Sequence, residues 1–181
     1  EGRTIISHKD LSVRVSTHAG ERILALLRNT VLGTKGGLRH QLTVIEERIR
    51  AYRDKIRFVS LFKGRRLVGT IGLCHRTIST AGKDVHSSYL RYLAFIPLFQ
   101  TALNTRGRFE NQAKKQDGGS WKEKVFSFFR DPHLLDFPGY DKGDKHVVYA
   151  YVEGKNERSK KLIRQVRFEE AGSFITLAFS R

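Results

Sequence analysis

Apolar and polar residues alternate along "LSVRVST", residues 11–17, and that period of two predicts a strand. The period changes in "AGERILALLRNTV", where Ile23, Leu24, Leu27 and Val31 share one helical face. After the Gly-rich break "GTKGG", a stripe of Leu38, Leu42, Ile45, Ile49 and Tyr52 predicts a second helix near 38–55. Two strands follow, "IRFVSLF" and "RLVGTIGLCHRT", joined by the hairpin turn Lys63-Gly64-Arg65-Arg66. A polar turn around Ala81-Gly82-Lys83-Asp84 leads to the strand "SSYLRYLAFI", stopped by Pro97. Residues 100–120 show no apolar period; "SWKEKVFSFF" then predicts a helix capped by Ser120, and "DPHLLDFPGYDKGDK" a loop. The apolar run 147–152 predicts a buried strand, and "SFITLAF" a last one. The order is strand, two helices, three strands, loop, helix, strand, helix, strand. It predicts a mixed α/β (α+β) domain over residues 1–181, without internal repeat and with an expanded loop at about 100–120.

One junction stands out. Within four positions of the run 147–152 the pattern becomes helical, with Leu162, Ile163 and Val166 at spacings of three and four and Ser159 on the same face. Asn156 is suited to cap that helix, because its side chain can accept from the free N–H groups of the first turn. A helix start is also a place where something negative or polar can bind.

Charge changes the picture. Thirty-four Lys and Arg against eighteen Asp and Glu give a formal net charge of +16, a field that attracts nucleic acid, acidic carrier proteins or phosphate-rich cofactors. The bland alternative is a solvated basic surface, which at this magnitude carries a self-repulsion cost. The longest apolar run, "YLAFIPLF", is eight residues, too short to span a bilayer, so no membrane is expected. With no signal-peptide pattern, and Cys74 unable to form an internal disulfide, the cytoplasm is the expected compartment. The chain has no Met, not even at its start; a true N-terminus or internal residues are expected to be lacking, so spacing within short motifs carries the argument. Seven scattered His and one Cys show no metal-ligand spacing, and no Ser-His-Asp order, Walker loop or dinucleotide fingerprint occurs.

The segment "LRYLAFIPLFQ", residues 90–100, resembles the central strand of the GNAT superfamily of acyl-CoA-dependent N-acyltransferases. The family wording is Leu-x-x-Leu-Ala-Val-x-Pro, with Arg or Gln three residues past the proline, here Gln100. Val152, Asn156, Ser159, Leu162 and Phe168 fall in register with its next strand and helix, Val-x-x-x-Asn-x-x-Ala/Ser-x-x-Leu-Tyr-x-x-x-Gly-Phe. The element order from residue 11 onward is also similar. The resemblance implies a central mixed sheet flanked by helices, in which two parallel strands splay apart after a bulge. It implies acetyl-CoA (or another acyl-CoA) as co-substrate, with pantetheine bonding to backbone around Phe95, and Asn156 and Ser159, exposed on the first helical turn, facing the thioester end.

The departures are specific. The family's phosphate loop, Arg/Gln-x-x-Gly-x-Gly/Ala, is not found in Thr101-Ala102-Leu103-Asn104-Thr105. Lys115-x-x-Gly118-x-Ser120 has the required form immediately before a predicted helix, so Gly118, Gly119 and Ser120 are the expected pyrophosphate cradle; the alternative is a plain turn with a Ser cap. Ile163 stands where many relatives carry a Tyr general acid; a thiol of pKa about 8.5 can leave without one. Arg167 replaces the usual Gly before Phe168. Glu153 is a candidate base for the acceptor amine, or an ordinary solvated carboxylate; His75 and His86 are candidate proton relays, or structural. The resemblance implies an N-acetyltransferase acting by direct attack of an amine on the thioester. Two alternatives remain open: a basic nucleic-acid-binding module on a degenerate form of the fold, and an acyltransferase using an acyl carrier protein. Against the former, the chain lacks a recognised nucleic-acid motif, and the basic run "TRGRFENQAKK" carries a single aromatic, Phe109, rather than aromatics interleaved among its cations as stacking would require. The acceptor's identity is not written in the sequence; charge alone favours an anionic one.

Overall fold

The computed structural model describes residues 2–33, 39, 41–42, 44–97, 132–141, 143–165 and 167–173. The predicted helix at 120–129, the last strand from residue 174 onward, and Gln100, Gly118, Gly119 and Ser120 lie outside the described residues.

Six strands form one sheet in sequence order: β1 (Arg3–His8), β2 (Leu11–Ser16), β3 (Ile56–Lys63), β4 (Arg66–Thr80), β5 (Lys83–Phe95) and β6 (His146–Ala150). The first five are antiparallel neighbours, and β6 joins β5 in parallel. The mixed α/β architecture expected from the sequence is therefore present. At the β4–β5 hairpin, Ala81 (φ 49°) and Gly82 (φ 72°) both take positive φ, the twist that a two-residue turn needs to match its strands. Strand β1 was not predicted. Its adjacent Ile5 and Ile6 break the alternation, and a register shift between Thr4 and Ile6 accommodates the pair.

Helices α1 (Glu21–Arg28) and α2 (Ile45–Arg50) cover one face. Both are shorter than the apolar stripes suggested. Val31 lies past the end of α1 and is 43% exposed, while α2 gives way to a 3₁₀ turn, Arg53–Lys55, where Arg53 has φ 50°. The stripe still packs: Leu42, Ile45, Ile49 and Tyr52 join Ile23 and Leu27 against Phe58, Phe62, Cys74 and Tyr92 of the sheet. Cys74 is fully buried, and burial raises its thiol to about 11, as suits a core residue. Arg28 bridges Glu21 of its own helix and Glu46 of α2, fastening the two together.

The opposite face packs under the segment 132–141, where Leu135 and Phe137 meet Val15 and Leu73. Arg57, 5% exposed, fastens that segment: its guanidinium donates to the Leu135 and Asp136 carbonyls at 2.9 and 2.6 Å and lies over the Phe137 ring. Strand β6 is half-buried rather than buried, with Val147 48% exposed. A final helix, α3 (Glu157–Gln165), follows it. No described helix is long and apolar enough to cross a membrane.

His75 and His86, each a lone strand histidine in the sequence, face each other on this second face, His75 Nε2 to His86 Nδ1 at 3.1 Å. His146 enters from β6, its Nε2 3.0 Å from Ser88 Oγ, and Tyr140 packs edge-on against both His86 and His146. Burial, then the neighbouring charges of His75 and His86, lower His146 to about 4. A His held neutral in the fold takes up its proton near pH 6.5 once unfolded. Its stability contribution is therefore complete above about pH 6.5 and is lost as pH falls towards about 4. Melting temperature measured from pH 7 to 4 should fall, and His146→Asn should flatten that slope; an unchanged slope would show that other groups control acid stability.

Candidate active site at the splayed strands

The β5–β6 ladder runs from His86↔His146 to Leu90↔Ala150 and stops there, five residues before β5 itself ends at Phe95. Residues 151–153 leave the ladder as β6 ends. The cause sits on the other edge of β5. Thr70 pairs with Ala94 and Gly72 with Arg91, so Ile71 alone faces both Tyr92 and Leu93. This is a bulge: one extra residue bends β5 and increases its twist, turning its end away from β6. Tyr92 takes φ 53°, a left-handed conformation on the order of 1–3 kcal/mol uphill for a bulky residue. Burial holds it there. Tyr92 is 6% exposed and stacks on Phe58, and an added Cβ at Gly72 would lie 2.8 Å from its ring. Gly69 has the same role for Phe95, whose ring would stand 2.2 Å from a Cβ there. Beyond the bulge the Ile96 N–H donates to the Val68 carbonyl at 3.0 Å, so the diverging end of β5 stays fastened to β4.

After β6, α3 begins as its sequence required. Asn156 Oδ1 accepts from the Ser159 N–H at 3.0 Å, and the Asn156 carbonyl accepts from the Lys160 N–H. Asn156 and Ser159 were expected to be exposed; both are half-buried, because the cap draws the Asn side chain onto the first turn. Glu153 is exposed in the turn between β6 and α3, and its carbonyl accepts from the Asn156 N–H. Phe95, Glu153, Asn156 and Ser159 thus follow the two diverging strands, whereas His75 and His86 sit at the far end of the ladder from the splay, in the packed cluster.

Sequence reasoning missed the aromatic and cationic side chains beside the bulge. Tyr89 stacks on Tyr149 at 5.1 Å with an interplanar angle of 9°, and Tyr151 meets both edge-on. Arg91 Nη1 donates to the Tyr52 hydroxyl, and its guanidinium lies 5.3 Å from the Tyr89 ring centre and 5.2 Å from that of Tyr92. The signal available was alternation itself, since Tyr89 and Arg91 share a face of β5 at i and i+2, but their partners come from distant strands.

Solved structures of acetyltransferases share this architecture. AAC(6')-Iy in complex with the bisubstrate analog CoA-S-monomethyl-acetylneamine superposes with a TM-score of 0.56 at 15% identity, over 97% of this chain and 100% of that one. The chain has the GNAT acyltransferase fold. An aminoglycoside 6'-N-acetyltransferase from Acinetobacter haemolyticus gives a TM-score of 0.55 at 9% identity, covering 93% of this chain and 98% of that one. A transcriptional regulator from Bacillus halodurans gives 0.53 at 12%, covering 92% and 99%. No family model matches the chain, and no curated protein matches it in sequence.

The GNAT fold also explains Arg167. At the end of α3 the Phe168 N–H donates to the Ile163 carbonyl at 3.2 Å and the Arg167 N–H to that of Arg164 at 3.0 Å, a Schellman closure. It requires a left-handed residue, and Arg167 supplies it with φ 65°. The family's Gly meets the same requirement without strain. Arg167→Gly should therefore stabilise the protein by roughly 0.5–1 kcal/mol in denaturant unfolding, while Arg167→Ala should not. A Gly variant no more stable than the Ala variant would remove this account.

Proposed function

We propose that this protein is an N-acetyltransferase that moves the acetyl group of acetyl-CoA to an amine. The observation that carries the reading is the β5 bulge at Tyr92 coinciding with the end of the β5–β6 ladder at Leu90↔Ala150. Such a gap accepts an extended amide chain such as pantetheine as a surrogate strand, with backbone around Phe95 lining it. The CoA-linked analog bound by AAC(6')-Iy supports a CoA-type donor on this fold. Gln100 and the Gly118-Gly119-Ser120 motif are assigned to the pyrophosphate from sequence, since backbone N–H groups at a helix start suit an anion.

In the reaction, the free amine attacks the thioester carbonyl carbon, the C–S bond breaks, and CoA leaves as a thiolate that takes up a proton. The amine's own proton passes to a base, for which Glu153, at the exit of β6, is the candidate. Asn156, whose oxygen is committed to the α3 cap, has its amide nitrogen to offer to a ligand carbonyl, with the Ser159 hydroxyl one turn on. With Ile163 in place of a Tyr acid, rate enhancement rests mainly on holding amine and thioester together. The arginine-lined cavity beside the bulge disfavours a polycationic acceptor such as an aminoglycoside.

Acetyl-CoA should raise the melting temperature, by an amount equivalent to about 2.7 kcal/mol at a hundredfold excess over Kd. No shift at millimolar acetyl-CoA would overturn the reading. Gly118→Val should weaken that binding with the fold intact, since a side chain would stand where backbone must approach phosphate; unchanged affinity would move the phosphate loop nearer Gln100.

A further inference from the structure

A cavity of about 340 Å³ opens beside the bulge, lined by Arg48, Ala51, Tyr52 and Arg91. Leu90 is the last residue of β5 paired with β6, so Arg91 stands where the strands part. Tyr52 holds the arrangement together. Its hydroxyl accepts from Arg91, and Arg76 interacts with the hydroxyls of both Tyr52 and Tyr149. Below lies Tyr92, whose hydroxyl is buried with no hydrogen-bond partner among the described residues and which feels the charges of Arg91 and Arg48.

No carboxylate pairs with Arg48, Arg76 or Arg91 among the described residues. Of the two acids of α2, Glu46 is committed to Arg28, and Glu47 is exposed to solvent. Elsewhere this chain does pair its cations, as Arg28 shows with Glu21 and Glu46. Here guanidinium groups converge on one phenol without a counter-charge, an arrangement that repels itself until an anion enters. Arg is also the side chain whose forked donors fit carboxylate and phosphate two bonds at a time.

The geometry points to an acceptor that carries an anionic group, a carboxylate or a phosphate, seated between Arg48, Tyr52 and Arg91, with its amine directed to the gap. This rests on the acetyltransferase reading and narrows its substrate class. Arg91 and Arg48 are specificity-determining residues in it, and the bulge is what places Arg91 and Tyr92 on the same, helix-bearing face.

The test has two arms. Calorimetry with acetyl-CoA on the wild type, Arg91→Gln and Arg48→Gln should give equal affinities. Failure of the wild type to bind would overturn the acetyltransferase reading and this inference with it. Release of CoA thiol is then followed with matched acceptors: amino acids against their amides, and aminoalkyl phosphates against the corresponding amino alcohols. The anionic member of one series should lead by roughly 10- to 100-fold in kcat/KM, the scale of a charge-assisted pair of hydrogen bonds, and the leading series identifies carboxylate or phosphate. Each variant should lose that lead through KM, and Arg91→Lys should restore part of it. Arg48→Gln changes an exposed helical position, so it carries the test even if Arg91→Gln disturbs the bulge. The inference falls if neutral or polycationic amines are turned over as well, if the variants keep the lead, or if acetyl-CoA binds and no anionic amine reacts. Salt-sensitive RNA binding that Arg91→Gln abolishes, without turnover of any amine, would make the pocket a nucleic-acid site instead.

Discussion

One extra residue in β5 organises this protein. Because Ile71 faces both Tyr92 and Leu93, the strand bends, its pairing with β6 ends, and consecutive residues 91 and 92 reach the same face of the sheet. None of this is free. Tyr92 sits in a conformation that a bulky side chain avoids, and it persists because Phe58 packs on its ring and Gly72 leaves room for it. Strain of this kind survives only where its surroundings over-determine it, and the buried cluster beneath α1 and α2 does so here.

The two faces of the sheet divide the work. On one, Arg57 spends its buried charge on the Leu135 and Asp136 carbonyls, and under the segment 132–141 His75 packs on Phe137 while His86 and His146 pack with Tyr140. The Arg57 donors and the His75–His86 pair find partners within the fold, while His146 bonds Ser88 through Nε2 and keeps its Nδ1 buried without a partner among the described residues. On the other face, past the apolar cluster, Arg76 and Arg91 meet tyrosines, Arg48 lines the same cavity as Tyr52, and none of the three pairs with a carboxylate among the described residues. The same residue type is a structural clamp where carbonyls surround it, and is left with free donors where its neighbours among the described residues are phenols.

Helix α3 shows how a local rule and the residue that usually serves it can part. Its start obeys the capping rule, with Asn156 closing on the Ser159 N–H. Its end keeps the Schellman geometry while giving up the glycine that usually supplies it, so Arg167 carries a modest strain in exchange for a further cation. Against a net charge of +16 that choice is consistent with a surface that draws in anions.

Period and spacing determined much of this in advance. The alternation of residues 11–17, the stripe through Leu42, Ile45, Ile49 and Tyr52, and the Asn156-to-Phe168 spacing each describe neighbours along the chain, and local geometry fixes such patterns. The mixed fold followed from them, and the splay was implied by the resemblance of residues 90–100 and 152–168 to the GNAT strands and helix. Strand β1 escaped because a bulge at its paired isoleucines hides the period, and α2 came out short because Val44 (φ −115°, ψ 43°) stands outside helical geometry at its start and the backbone turns at Arg53 (φ 50°) past its end. Tertiary structure alone decided the rest. His75, His86 and His146 are scattered in sequence and become one cluster only through the antiparallel β4–β5 and parallel β5–β6 registers. Arg48, Tyr52 and Arg91 form one pocket only because α2 lies across the strand that the bulge bends. Sequence carries contacts of three or four residues' separation plainly; contacts across forty depend on register, and a single inserted residue in β5 set that register.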